Sequence, residues 1–158
     1  MPQFETTHRV AHSAQAMFNL VAEVEAYPQF VPLCERLVVR AQREEGEKRI
    51  LVADMTIGYK MIRETFTSQV TLDRPALLIR ADYLDGPFRF MENLWTFVPA
   101  GEGQSDIGFH IAYEFKSRAF GMLMGAMFDR VFRTYSDAFE KRADVIYGKS
   151  EAAREGKP

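Results

Sequence analysis

The segment Ile107-Gly108-Phe109-His110-Ile111-Ala112-Tyr113-Glu114-Phe115-Lys116-Ser117 decides the fold class. Ile107, Phe109, Ile111, Tyr113 and Phe115 share one face and Gly108, His110, Ala112, Glu114 and Lys116 the other, the period-2 pattern of a half-buried antiparallel strand. After Ser117 the period changes to 3.6, and Phe120, Met124, Met127, Phe128, Val131, Phe132, Tyr135, Ala138 and Phe139 form a wide stripe running towards Ile146. A single helix of roughly 28 residues is about 42 Å long, more than a small flat sheet can cover. The pattern therefore predicts one long C-terminal helix laid across a strongly curved sheet, with apolar space between them.

Working back from this segment, strand signals dominate. Leu37 to Ala41 and Arg49 to Ile57 flank a charged turn at residues 43–48, and a second turn begins at Gly58. Met61 to Leu72, Leu77 to Leu84 and Phe88 to Val98 follow, divided by Asp73-Arg74-Pro75 and Asp85-Gly86-Pro87. At the start of the chain, Phe4 to Val10 alternates, Ser13 is placed to cap a short helix through Val21, and Pro28 and Pro32 forbid a long helix around Tyr27 and Phe30. Strands and helices are segregated, which defines an α+β fold. A domain over residues 1–148 is expected, with KSEAAREGKP at 149–158 as a flexible tail.

Composition narrows the function. With 158 residues the chain is one domain's length, and 47% apolar and 27% charged residues exclude a disordered or fibrous protein. Thirteen Phe, six Tyr, one Trp and eight Met are more bulky apolar side chains than a compact core of this size needs. Cys34 is the single cysteine, so an intramolecular disulfide is impossible and a reducing, cytoplasmic setting is expected. No run is long and apolar enough for a membrane span, and MPQFETTHRV lacks a signal peptide's apolar stretch. Residues 116–158 carry nine basic against six acidic side chains, and residues 1–115 eleven against sixteen. A bias this small excludes a DNA-binding stripe and leaves two readings of the C-terminal helix, a solvated face or a weak attraction to anionic lipid headgroups.

Dedicated chemistry is sparse. His8 and His12 straddle a strand end and His110 falls on an outer face, so no metal site is expected. Glu64 needs a partner if it points inward beside Phe66, since an unpaired buried carboxylate is costly. Gly121 and Gly125, four apart at the start of the helix, mark close packing on the sheet or a weak point that bends to admit a ligand. No phosphate loop, nucleophile elbow or paired-carboxylate motif is present, and no catalytic residue is assigned.

Five segments carry a family resemblance. Tyr27-Pro28-Gln29-Phe30-Val31-Pro32-Leu33-Cys34, Met55-Thr56-Ile57-Gly58-Tyr59, Gly86-Pro87-Phe88, Asn93-Leu94-Trp95-Thr96-Phe97 and Tyr113-Glu114-Phe115-Lys116-Ser117 resemble, in order, those of the coenzyme Q-binding, START-like proteins. The resemblance covers about residues 3 to 147. It implies a helix-grip fold, a seven-stranded antiparallel sheet curved around a long C-terminal helix, with a hydrophobic tunnel between. It also implies ubiquinone or a related polyprenyl lipid as the bound ligand, no other cofactor, and a non-enzymatic role supporting respiratory electron transport.

Bacterial members of that family are also called ribosome association toxins or polyketide cyclase/dehydrases, whereas mitochondrial members carry a presequence; a bacterial origin is therefore the expectation. Within this frame Trp95, Phe97, Phe109, Tyr113, Met124 and Phe128 are expected to line the tunnel together with Met55. Tyr27, Phe30, Pro87 and Phe88 are expected either at its entrance or as a cluster closing the core. Three functions compete: a lipid carrier touching the inner membrane surface transiently, a ribosome-associated regulator working through its surface, and a cyclase-like enzyme using cavity polar groups. Fold alone does not separate them.

Overall fold

The computed structural model describes residues 3–148. Seven strands, β1 (Gln3–Val10), β2 (Cys34–Glu45), β3 (Lys48–Tyr59), β4 (Ile62–Asp73), β5 (Leu78–Asp85), β6 (Phe88–Pro99) and β7 (Ser105–Phe115), form one antiparallel sheet in the order β1-β7-β6-β5-β4-β3-β2. Between β1 and β2 the chain crosses from one edge of the sheet to the other through α1 (Ala14–Ala22) and a 3₁₀ segment (Val24–Gln29). Ser13 caps α1 by accepting the Ala16 N–H at 3.1 Å, as its position predicts. Register shifts at Cys34/Arg36, Val39/Ala41, Thr67/Ser68 and Phe88/Phe90 bend the strands that carry them. The sheet is the expected α+β helix-grip architecture.

Three local expectations are corrected. Gly58 lies inside β3, not in a turn: a Cβ there would collide with the Glu35 carboxylate on the neighbouring strand, and the reversal comes two residues later at Lys60-Met61. The β2–β3 hairpin is longer than the alternation showed: β2 runs on through exposed residues 42–45 to Gly46, whereas β3 buries Ile50 and Leu51 two residues after its start, so hydrophobic periodicity misses the outer part of β2. The C-terminal helix is bent, not straight. Arg118–Arg133 forms α2 and Tyr135–Tyr147 forms α3, divided at Thr134, whose hydroxyl donates to the Val131 carbonyl at 2.7 Å. Such back-bonding competes with the helical ladder and bends helices.

The core occupies the concave face. α1 covers its lower end with Met17, Phe18 and Val21, and Phe18 meets Phe97 of β6 edge-on at 5.7 Å. α2 lies over β7 through Phe128 and Phe132, while Phe139 of α3 closes on Trp95 at 4.9 Å. No helix of the described residues is long and apolar enough to cross a membrane. The expected tail at 149–158 lies outside the described residues.

Candidate functional site

The inner face of the sheet is small where the helices do not press on it. Ala53 of β3 pairs with Ser68 of β4, Val70 with Ala81 of β5, and Ala81 with Asn93 of β6. These short side chains stand in the middle of the concave surface, whereas α1 and α2 bring their rings to its ends. A cavity of about 90 Å³ remains beneath the α2–α3 bend, bounded by Phe66, Phe88, Trp95, Phe109, Phe128 and Phe139 among others. It carries no charged group in its lining.

Its polar groups are few and uncharged. The Tyr27 hydroxyl donates to the Val21 carbonyl at 2.5 Å, and the Asn93 carboxamide donates to the His110 carbonyl at 2.8 Å. Ser68, Tyr135 and Trp95 also line the cavity, and their hydroxyl and indole N–H groups have no hydrogen-bond partner among the described residues. Burial pushes the phenols of Tyr27 and Tyr135 up, in both cases chiefly through desolvation, so both remain neutral donors. Cys34 stands nearby with its thiol pushed up to about 11 by burial, which keeps it a thiol and not a nucleophilic thiolate.

Of the ten ligand-binding residues expected from sequence, Tyr27, Met55, Phe88, Trp95, Phe109 and Phe128 line this cavity. Four do not. Phe97 is sealed beneath Phe18 of α1, and Tyr113 is covered by Phe128 and Phe132 of α2. Met124 is buried in the α2 packing, and Phe30 lies on the outer side of Phe139 with the Arg142 guanidinium 5.2 Å from its ring centre. The expected entrance also divides: Tyr27 and Phe30 pack on α3, whereas Phe88 stacks on Phe115 at 4.9 Å at the start of β6; Phe88 is buried and Tyr27 half-buried. They form two closing clusters at different places, not one portal.

Sequence reasoning missed Ser68, Ala81, Asn93 and Tyr135. The signal was parity: Phe66, Ser68, Val70 and Leu72 alternate inward along β4, and Met91, Asn93 and Trp95 along β6. The same parity turns Glu64 inward, where it is half-buried at the open end of the hairpin and has no ion-pair partner among the described residues.

The histidines serve elsewhere. His8 bonds Glu140 and His12 bonds Asp144, each at 2.7 Å, tying α3 to the first strand and the turn after it. Donor atoms of His8, Asp137 and Glu140 lie within 4.8 Å of one another on the outer surface, remote from the cavity lining.

The chain shares this design with known proteins. A family model described as polyketide cyclase / dehydrase and lipid transport matches residues 10–140. The ribosome association toxin RatA of Vibrio cholerae serotype O1 is 31% identical over 149 residues, spanning 94% of this chain and 100% of that one. The mitochondrial coenzyme Q-binding protein COQ10 homolog B of Xenopus laevis is also 31% identical, over 94% of this chain and 61% of its own length. The solution structure of an 18 kDa protein from Caulobacter crescentus superposes with a TM-score of 0.77 at 30% identity, covering 94% of this chain and 99% of that one. A match across residues 10–140, full-length relatives and a common helix-grip architecture place the chain in the polyketide cyclase/dehydrase and lipid transport family, to which it belongs.

Proposed function

We propose that this protein is a non-enzymatic binding protein for a ring-headed polyprenyl lipid of the ubiquinone class, with the ring held in the cavity under the α2–α3 bend. The observation that carries the proposal is the donor set. Ser68, Trp95 and Tyr135 bring three donors without another partner to a largely apolar, uncharged lining, in which Tyr27 and Asn93 already bond backbone carbonyls. A quinone ring presents acceptors only, two carbonyls and its ring ethers, so it matches donors that have no other partner. The aromatic walls supply faces for the ring, and each tail methylene removed from water contributes about 0.8 kcal/mol. Among the relatives, the coenzyme Q-binding name of the Xenopus protein supports the same ligand class.

The volume adds a condition. Ligand sites commonly enclose about 300–1,000 Å³, several times the 90 Å³ of this cavity. A substituted ring with a tail therefore enters only when the enclosure widens. α2 is the element free to do this, because it meets the sheet through apolar rings while α3 is tied by side-chain hydrogen bonds. Loading is thus a movement of α2 about Thr134.

Trp95 is the only tryptophan in the chain and lines the cavity, so its fluorescence reports occupancy directly. Titration with a short-chain ubiquinone is expected to quench it saturably, and mass spectrometry of organic extracts from protein expressed in a quinone-producing host is expected to find a quinone. No quench and no extracted lipid would sink the proposal. A ribosome-associated role has one observation in its favour, the full-length similarity to the Vibrio protein. It predicts cosedimentation with large ribosomal subunits that weakens steeply with salt.

A further inference from the structure

Four of the exposed large apolar side chains gather at one end of the sheet, apart from Val98 at the far end of β6 and Val145 on α3. Met61 is 96% exposed at the β3–β4 hairpin tip, Met122 81% and Leu123 67% exposed on the first turns of α2, and Leu84 54% exposed at the β5–β6 turn. Strand alternation puts all of these at one end of the sheet, because β3, β5 and β7 all run towards it and α2 begins there. The Lys116 N–H donates to the Pro87 carbonyl at 2.9 Å, joining the β5–β6 turn to the start of α2. Arg89, Lys116, Arg118 and Met122 line one groove at this junction.

The charge of this end departs from that of the chain. Arg63 is paired with Glu35 at 2.9 Å and Arg89 with Glu114 at 3.0 Å. That leaves Arg36, Lys60, Lys116 and Arg118 against Glu64 and Asp85, a local excess of two positive charges on a chain whose formal net charge is −2.

We infer that this end of the molecule is a docking surface for an anionic phospholipid bilayer, with Met61, Leu84, Met122 and Leu123 entering the interface and Lys60, Lys116 and Arg118 meeting the headgroup phosphates. Separate apolar tips, with Lys60 next to Met61 and with Lys116 and Arg118 four to seven residues before Met122 and Leu123, suit a fluid surface, where a methionine or leucine dips below the headgroups while a neighbouring cation stays among them. A folded protein partner would need a continuous complementary patch, and RNA phosphates gain nothing from exposed Met and Leu. The inference deepens the lipid-binding reading and rests on it for its use. α2 presents Phe128 to the cavity and Met122 and Leu123 to the outside, so the helix that must move to load a lipid is the one that touches the bilayer.

The test is sedimentation of the full chain with phosphatidylglycerol–phosphatidylcholine vesicles and with phosphatidylcholine vesicles, no quinone being added. Wild type is expected on the anionic vesicles only and is released by high salt. The variant Met61→Ser/Met122→Ser/Leu123→Ser, and separately Lys60→Gln/Lys116→Gln/Arg118→Gln, is expected to lose binding about tenfold or more. Both are expected to keep the Trp95 quench by short-chain ubiquinone in free solution, which shows that fold and cavity survive. Met61→Ser alone, at a solvated hairpin tip, gives a partial loss without a folding risk. Absence of wild-type binding to anionic vesicles, or undiminished binding by the Met/Leu variant, overturns the inference. So does sedimentation with ribosomal subunits that needs the cations but not Met61, Met122 or Leu123. Vesicle binding without any Trp95 quench leaves the docking surface standing and removes the quinone reading instead.

Discussion

Replacing Ala81 with leucine sets stability against binding at one site. Ala81 stands in the row of short side chains at the middle of the sheet, paired with Val70 and Asn93, and lines the cavity. A leucine side chain there projects into the space of about 90 Å³ that the quinone ring is proposed to enter. Unfilled apolar space costs about 24 cal/mol per Å³, so complete filling of this cavity recovers about 2 kcal/mol. For a domain of this length that is a rise in Tm of roughly 4–8 °C, less any strain where leucine meets Trp95 or Phe66. The assay is thermal and urea unfolding followed by Trp95 fluorescence, with quenching by short-chain ubiquinone measured on the same samples. The expected variant is more stable and no longer quenched, the trade-off of a site kept open for function. A variant less stable than wild type that still binds with wild-type affinity refutes the reasoning, because the space would then be neither a void nor the ligand's place.

Tyr135→Phe removes one unpartnered donor from the cavity. It is expected to weaken quinone binding by about five- to tenfold, the worth of a neutral hydrogen bond, while leaving unfolding unchanged; equal affinity in the titration would remove Tyr135 from the site. The two histidine ties should differ in strength: His12 is 6% exposed, whereas the His8 and Glu140 side chains are each about one-third exposed. His12→Ala is therefore expected to cost about 1–3 kcal/mol in urea unfolding and His8→Ala under about 1 kcal/mol, and equal costs would contradict the burial argument. Alkaline pH should destabilise the fold. The Cys34 thiol rises from 9.0 to about 11 in the folded chain and the Tyr113 phenol from 10.0 to about 12. The unfolded chain thus releases these protons first, and stability present below pH 9 is lost as pH rises through 11 and on towards 12. Urea midpoints at half-unit steps above pH 8 check this, and Cys34→Ala is expected to flatten the first part of the fall.

The alternating run Ile107 to Phe115 and the stripe from Phe120 to Phe139 were enough to call for a curved sheet under a C-terminal helix, because each pattern reports which face a residue turns inward. They do not report what stands opposite. Phe97 and Tyr113 carry the right face and are still excluded from the cavity, since α1 delivers Phe18 over one and α2 delivers Phe128 over the other. Ser68 and Ala81 were passed over for the complementary reason: a cavity is made where side chains are short, and hydrophobicity draws the eye to the large ones. The bend at Thr134 was hidden because the apolar stripe continues through it unbroken. What interrupts the helix is one hydroxyl bonding the carbonyl three residues back, a local competition that periodicity does not register.

That bend divides one amphipathic helix into two pieces held by different forces. α3 is tied by directional bonds: His8 to Glu140, His12 to Asp144, Arg142 to Gln29 at 2.9 Å and Tyr147 to the Ala16 carbonyl at 3.1 Å. Among the described residues α2 makes no hydrogen bond or ion pair to the sheet beyond its cap at Ser117; it meets β1 and β7 through rings, with the Arg133 guanidinium over Phe4. Directional bonds fix a position, whereas apolar contact is nearly indifferent to a small slide. A ligand larger than the closed cavity must move something, and the movement that breaks the fewest directional bonds is a swing of α2 about Thr134. α2 carries Phe128 on its inner face and Met122 and Leu123 on its outer one, so this swing widens the cavity at the end of the molecule proposed to dock on a bilayer.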